Sequence, residues 1–164
     1  MRAVPRSLLF GLCLATLLST GCDEVVTPEN LDRLLLEDTM DCSVRMVSLG
    51  AVNEGVLEPS SCRTHGVGPY ISFYGLRLEE GDVGAAEYLR IDMITDDPDL
   101  DPRLILLSSD GQTQIATNND ISPTNRNAQI RIRGLTPNLY AIAAMATTGQ
   151  TGHFLFRTER EASE

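Results

Sequence analysis

The fold is decided by the stretch DDPDLDPRLILLSSDGQTQIATNND, residues 96–120. It consists of an acidic loop, two short apolar segments joined by Asp110-Gly111, and a second acidic loop. Both central residues of a type I′ turn need a positive φ, which aspartate and glycine tolerate, so this dipeptide predicts a two-residue β-hairpin turn. We therefore expect the rest of the chain to pack as strands around a central hairpin.

Short β-type segments separated by Gly, Pro, Asn and Asp follow one another from Cys42 onward. Closely spaced strands without helices between them predict an all-β fold, an antiparallel β-sandwich of about eight or nine strands. Polar and apolar residues alternate in 88–93 and 129–133, which predicts strands with one wet face. Residues 139–146 are apolar on both faces, which predicts an inner strand covered by the opposite sheet and by a loop or an N-terminal helix. The predicted strands are Val44–Val52, Gly55–Glu58, Tyr70–Leu78, Glu87–Ile94, Arg103–Ser108, Gln112–Thr117, Ala128–Arg133, Leu139–Ala146 and His153–Thr158.

Residues 1–21 have the organisation of an export signal. Arg2 and Arg6 precede an apolar run too short to span a bilayer, and small residues lead up to Cys22. The ending Ser-Thr-Gly-Cys resembles the bacterial lipobox, although Ser19 stands where leucine is commonest. In that motif the cysteine after the cut is acylated, and its acyl chains hold the protein on a membrane. We expect a lipid-anchored protein of the bacterial cell envelope; ordinary cleavage and a secreted protein are the alternative.

The charge of the chain disfavours nucleic acid as a partner. Removal of residues 1–21 takes away two of the 13 basic residues and none of the 23 acidic ones, so the formal charge falls from −10 to −12. Nucleic acid is itself a polyanion. The sequence also contains no lysine, which excludes Schiff-base and other lysine chemistry.

The predicted domain, residues 42–158, is flanked by two less regular segments. Residues 22–41 form a lipidated tether, in which Thr27-Pro28-Glu29-Asn30 precedes four leucines on one side of a short helix. This helix should lie against the domain; a frayed tether is the alternative. Residues 159–164 are predicted to be a disordered tail.

The cysteines predict a disulfide. Cys13 leaves with the leader and Cys22 is the predicted acylation site, so Cys42 and Cys62 remain in an oxidising compartment. A spacing of twenty residues does not by itself bring their Cα atoms within bridging distance, and two buried free thiols are the alternative.

The chain from about Val52 to Arg157 resembles the bacterial pre-peptidase C-terminal domain. That family is a jelly-roll-like β-sandwich, often appended to secreted proteases and also found in stand-alone envelope proteins. In the motif Leu135-Thr136-Pro137-Asn138-Leu139-Tyr140, Tyr140 is interpreted as a tyrosine corner whose hydroxyl bonds to upstream backbone. The other segments that carry the resemblance are residues 55–57 with Ser61-Cys62, residues 100–106, residues 110–111 with 115–120, and residues 152–156.

The residues that catalysis needs are scarce, so we expect a protein that is not an enzyme. A serine or cysteine nucleophile requires a base within reach, and the only histidines are His65 and His153. The sequence contains no G-x-S-x-G motif and no clustering of cysteine and histidine for zinc.

Calcium is the one cofactor that the residues support. A hairpin brings the residues before its first strand and after its second strand to one end, so Asp99, Asp101, Asn118 and Asp120 should lie together, with Asp110 at the opposite end. Some members of the resembled family bind calcium. The alternative is that these residues make solvated turns.

These observations favour a non-catalytic, lipid-anchored module of the cell envelope that binds or scaffolds. Its partners would be the membrane, through the anchor, and a protein or extracellular polymer. The alternative is a structural accessory domain that aids the export or stability of a secreted peptidase.

Overall fold

The computed structural model describes residues 42–63 and 68–163 of the chain. In these ranges ten strands form two sheets, which confirms the predicted sandwich with one or two strands more than expected. The strands are β1 (Val44–Val47), β2 (Val52–Leu57), β3 (Cys62–Arg63), β4 (Tyr70–Leu78), β5 (Glu87–Ile94), β6 (Pro102–Leu107), β7 (Gln114–Asn118), β8 (Ala128–Ile132), β9 (Asn138–Ala146) and β10 (Gly152–Ala162).

The first sheet has the order β1-β4-β9-β6-β7, with β3 paired to the start of β4. All its pairs are antiparallel except β1 with β4, in which Val44 is opposite Phe73. The second sheet has the order β2-β10-β5-β8 and is antiparallel throughout. Strands from distant parts of the chain therefore alternate in both sheets.

The core lies between the sheets and is built from alternate residues of each strand. The predicted alternation in residues 88–93 is confirmed, because Leu89, Ile91 and Met93 are fully buried. The ring of Tyr74, from the first sheet, stacks on Phe156 of the second at 3.9 Å between centroids. Burial raises the pKa of the Tyr74 hydroxyl, because the charged form would lose its solvation.

The predicted strand Val44–Val52 is wrong, because the chain changes sheets within it. β1 belongs to the first sheet and β2 to the second, and Gly50 between them has a φ of 86°. Glycine takes this left-handed conformation without the steric cost that a side chain brings. The two strands are both rich in apolar residues, so hydrophobicity alone did not reveal the turn.

The predicted two-residue type I′ turn is also wrong. β6 ends at Leu107 and β7 begins at Gln114, so the chain reverses through a longer loop in which Gly111 has a φ of 68°. The Asp110 carboxylate accepts hydrogen bonds from the Ser108 hydroxyl and from the backbone N–H groups of Gln112 and Thr113. These bonds hold the pKa of Asp110 well below its usual range, and they organise the loop.

The predicted disordered tail from residue 159 is wrong for residues 159–162. β10 continues to Ala162, and Glu159 and Arg160 are opposite Arg90 and Leu89 of β5. The sequence of this segment is polar, which suggested disorder. Backbone pairing with β5 makes it a strand whose polar side chains lie at the surface.

The predicted signal peptide, residues 1–21, and the predicted tether and helix, residues 22–41, lie outside the described residues. In the described part of the chain, no helix is long and apolar enough to cross a membrane.

Candidate functional site

The two acidic loops lie at one end of the sandwich, which we call the acidic end. β6 and β7 are antiparallel with Leu104 opposite Asn118, so the loops before β6 and after β7 meet there. The backbone N–H of Thr147 donates to the carbonyl oxygen of Asp101 at 2.8 Å, and the Thr147 hydroxyl donates to Asn119 Oδ1. Thr147 therefore links the two loops, and the Asp110 loop lies at the opposite end, as predicted.

Arg126 brings a positive charge to the acidic end that the sequence analysis did not assign. Its Nε atom is 3.1 Å from Asp101 Oδ1, and its Nη1 atom donates to the carbonyl oxygen of Pro98 at 3.2 Å. The guanidinium thus neutralises part of the negative charge that would attract a divalent cation to these loops. Arg126 lies 25 and 28 residues along the chain from these partners, so no local sequence pattern indicated the contacts.

The remaining candidate calcium ligands also have contacts within the protein. Asn118 Oδ1 accepts a hydrogen bond from the backbone N–H of Gln129 at 2.9 Å, and Asn119 Nδ2 donates to Asp120 Oδ2 at 2.9 Å. The backbone N–H of Asp99 donates to Asp97 Oδ1 at 3.0 Å. Within the described ranges, no three His, Cys, Asp or Glu side chains form a group that could hold a metal ion. A calcium site at Asp99, Asp101, Asn118 and Asp120 stays a prediction.

A groove of about 520 Å³ lies next to the acidic end, on the outer face of the second sheet. Glu54, Leu155 and Ile94 are opposite one another on β2, β10 and β5 and form one row across it. The groove combines the apolar side chains of Leu155 and Ile94 with carboxylates and with His153. Its lining residues are Glu54, Gly55, Ile94, Thr95, Asp96, His153, Phe154 and Leu155.

The surface around the groove exposes large apolar side chains. Leu155 is 44% exposed, and Val56 and Val52 on the neighbouring strand are also exposed. All three side chains point away from the core, because the residues that alternate with them, such as Phe154 and Phe156, are buried. Grooves that combine apolar contact with a few polar groups are the usual form of binding sites.

A buried ionic cluster occupies the same outer face beside the groove. Asp92 is fully buried although it alternates with core residues, and three side chains surround its carboxylate. Arg157 donates from Nε at 2.9 Å and from Nη2 at 2.7 Å, Arg90 donates from Nε at 3.0 Å, and Gln129 donates from Nε2 at 2.7 Å. The hydrogen bonds to Asp92 raise the pKa of Arg157. The cluster is a structural element that fixes the three strands in register.

The structure describes the surroundings of one of the two histidines, His153. His65 lies outside the described residues. His153 is the second residue of β10 and lines the groove, where its backbone carbonyl accepts a hydrogen bond from the Thr95 hydroxyl at 2.8 Å.

Two predictions that concern structural residues are confirmed. Cys42 and Cys62 form a disulfide, with their Cα atoms 5.1 Å apart. The hydroxyl of Tyr140 donates to the carbonyl oxygen of Thr136 at 2.8 Å, which is the expected tyrosine corner.

Comparison with known proteins identifies the fold and leaves the activity open. No family model matches the chain, and no curated protein matches it. The pre-peptidase C-terminal domain of a collagenase from Bacillus anthracis superposes with a TM-score of 0.51 at 12% identity, covering 73% of this chain and 97% of that one. The fold is that of a pre-peptidase C-terminal-like β-sandwich. PliG from Aeromonas hydrophila, a periplasmic inhibitor of g-type lysozyme, superposes with a TM-score of 0.44 at 10% identity, covering 73% of this chain and all of that one.

Proposed function

We propose that the protein is a non-catalytic binding or scaffolding module of the bacterial cell envelope, held on a membrane by lipid at Cys22. The groove on the outer face of the second sheet carries this proposal. It offers a concave surface with exposed apolar groups.

The chemistry of the groove supports a partner that is cationic and partly apolar. Leu155 and Ile94 supply apolar contact, and the carboxylates of Glu54 and Asp96 attract positive charge. The mature chain also has a formal charge of −12, which attracts cationic partners at longer range. A protein segment that presents a lysine or arginine beside an apolar side chain fits both features.

A pulldown tests this function. The chain from residue 22, with Cys22→Ser to remove the acylation site, is immobilised and incubated with envelope extract from the source bacterium. We expect one or more specific partners to be retained and to be lost with Leu155→Glu, which places a charge among the apolar side chains of the groove. Ile115→Glu is the matched control, because Ile115 is also an exposed apolar strand residue but lies on β7 of the other sheet.

Equal retention by the parent and the Leu155→Glu variant would contradict a role for the groove. Loss of the partner with Glu54→Gln as well as with Leu155→Glu would support the cationic character of the partner. Retention by the parent protein should then weaken as the salt concentration rises.

A second candidate function is a structural accessory that aids the export or stability of a secreted peptidase. The observation that favours it is the likeness of the sandwich to a domain of a collagenase. Deletion of the gene should then lower the amount of a secreted peptidase in the culture medium. Unchanged levels of all secreted peptidases would exclude this role.

A further inference from the structure

The outer face of the first sheet, which points away from the second sheet, is almost entirely apolar. The side chains that alternate with the core residues of β4, β9 and β6 point outward, and of these only Arg77 and Arg103 are charged. The apolar members include Ile71, Phe73, Leu139, Ala141, Ala143, Met145, Ile105 and Leu107. The outer face of the second sheet, in contrast, carries the Asp92 cluster and further ion pairs.

The large residues of this face are much less exposed than a solvent-facing sheet allows. The exposed fraction is 0% for Leu139, 4% for Ile71 and 7% for Phe73, against 61% for Val52 on the outer face of the second sheet. The described strands form only two sheets, so none of them provides a third layer here. A face of this kind needs a partner layer.

The position of Cys42 indicates which segment supplies that layer. Cys42 is the first described residue and packs in one cluster with Ile71, Phe73 and Met145, and its disulfide to Cys62 fixes it there. The preceding residues therefore leave the domain directly from this face. Because residue 41 is bonded to Cys42, the segment 27–41 ends at this face.

The sequence of residues 27–41 matches the face in shape. Leu31, Leu34 and Leu35 have the spacing of one side of a helix, and Leu36 and Met40 lie four residues apart beside them. A helix over residues 31–40 would be about 15 Å long. The three central strands β4, β9 and β6 span about 10 Å, since neighbouring strands are about 4.8 Å apart. One short helix can therefore cover the apolar centre.

The charges match as well. Residues 27–41 contain five acidic residues and one arginine, whereas the charged outward side chains of β4, β9 and β6 are both arginines. The acidic residues are Glu29, Asp32, Glu37, Asp38 and Asp41. Carboxylates on the polar side of the helix can therefore approach Arg77 and Arg103 at the margin of the apolar area.

We infer that residues 27–41 dock on the outer face of the first sheet, with the leucines on Ile71, Phe73 and Met145, and so form the third layer of the domain. This inference does not depend on the lipid anchor. Where Cys22 is acylated, as proposed above, only residues 23–26 remain as a free tether, which reach at most about 14 Å. Docking then holds the domain close to the membrane, with its tether leaving from the first sheet and the groove on the opposite sheet.

Hydrogen exchange tests the inference on the mature chain, residues 22–164, with Cys22→Ser. The backbone amides of residues 31–36 should exchange at least about tenfold more slowly than in the unfolded chain, because docking protects them. Leu34→Ser with Leu35→Ser should abolish this protection, lower the melting temperature and increase the binding of a dye that recognises apolar surface. Asn30→Ser is the control, since it changes a polar residue of the same segment. It should leave the amide protection, the melting temperature and the dye binding unchanged.

Two results would overturn the inference. One is exchange of residues 31–36 in the parent at the rate of an unfolded chain. The other is a dimer in analytical ultracentrifugation that protects the amides of β4 and β9 but leaves those of residues 31–36 unprotected, which would make a second copy the covering layer. The exchange rates of the parent test the docking of residues 27–41 even if the double variant does not fold.

Discussion

The hydroxyl of Tyr140 donates a 2.8 Å hydrogen bond to the carbonyl oxygen of Thr136, four residues earlier. Tyr140 is buried, so the bond fixes the turn that leads into β9, the central strand of the first sheet. Tyr140→Phe keeps the ring and removes the hydroxyl, which leaves the carbonyl unpaired. We expect a loss of about 1 to 3 kcal/mol in the free energy of unfolding, measured by denaturant titration.

Tyr88→Phe is the matched control for that experiment. Tyr88 lies on the outer face of the second sheet with Arg131 over its ring, a contact that does not use the hydroxyl. The free energy of unfolding of the Tyr88→Phe variant should differ little from that of the parent. An unchanged stability of Tyr140→Phe would show that the corner does not hold the turn.

Gly55 is predicted to be intolerant of any side chain. A Cβ atom there would collide with the ring of Phe154 and would lie 2.7 Å from the Tyr74 hydroxyl. Gly55→Ala should therefore cost about 1 to 3 kcal/mol through overpacking, seen as a lower denaturation midpoint. Gly149→Ala meets no atom within 4 Å and serves as the control. If both variants are equally stable, the packing around β2 is looser than described.

The disulfide should make a large contribution to stability. It ties Cys42, two residues before β1, to β3, across a separation of 20 residues. By the chain-entropy argument, a loop of this size contributes about 3 kcal/mol. Cys42→Ser combined with Cys62→Ser should lower the melting temperature clearly, compared with the parent under non-reducing conditions. A melting temperature that is the same in parent and variant, or in parent with and without reductant, would contradict this contribution.

Features that depend on neighbouring residues were predicted better than features that depend on contacts between distant parts of the chain. The alternation in residues 88–93 and the apolar run of residues 139–146 predicted strands correctly. Burial of one or both faces of a strand is visible in the hydrophobicity of its own successive residues. The change of sheet at Gly50 and the extension of β10 to Ala162 were missed, since each depends on a pairing partner distant in the chain.

The same distinction applies to the candidate site. The approach of the two acidic loops followed from the geometry of one hairpin and was predicted correctly. The guanidinium of Arg126, the groove and the Asp92 cluster were not predicted. Each joins residues from at least two separate strands or loops, so no single segment of the sequence indicated them.

Calcium binding at the acidic end remains a prediction with a sharper test now that Arg126 is known. We expect a dissociation constant of about 10⁻⁴ to 10⁻³ M, since no glutamate is placed to bind bidentately. Calcium at about ten times the dissociation constant would stabilise the fold by about 1.4 kcal/mol. The measurement is thermal unfolding in calcium and in chelator, and Asp101→Asn and Asp120→Asn should reduce the shift.

Arg126→Gln distinguishes the two positive charges that can neutralise the acidic end, the Arg126 guanidinium and a bound calcium ion. Removing the guanidinium from Asp101 should destabilise the protein in chelator and enlarge the shift that calcium produces. Arg133→Gln, at Tyr88 on the second sheet, is the control for the loss of one charge. A melting temperature of the parent that is indifferent to calcium would leave these loops as turns closed by Arg126.

The proposed lipid at Cys22 would hold the sandwich domain at a membrane, and the intact mass of the mature protein from its native host tests this proposal most directly. We predict a chain that begins at Cys22 and exceeds the mass of residues 22–164 by that of its acyl groups, recovered in the detergent phase of a detergent extraction. A mass that corresponds to cleavage at another position, or an unmodified chain in the aqueous phase, would contradict the lipid anchor.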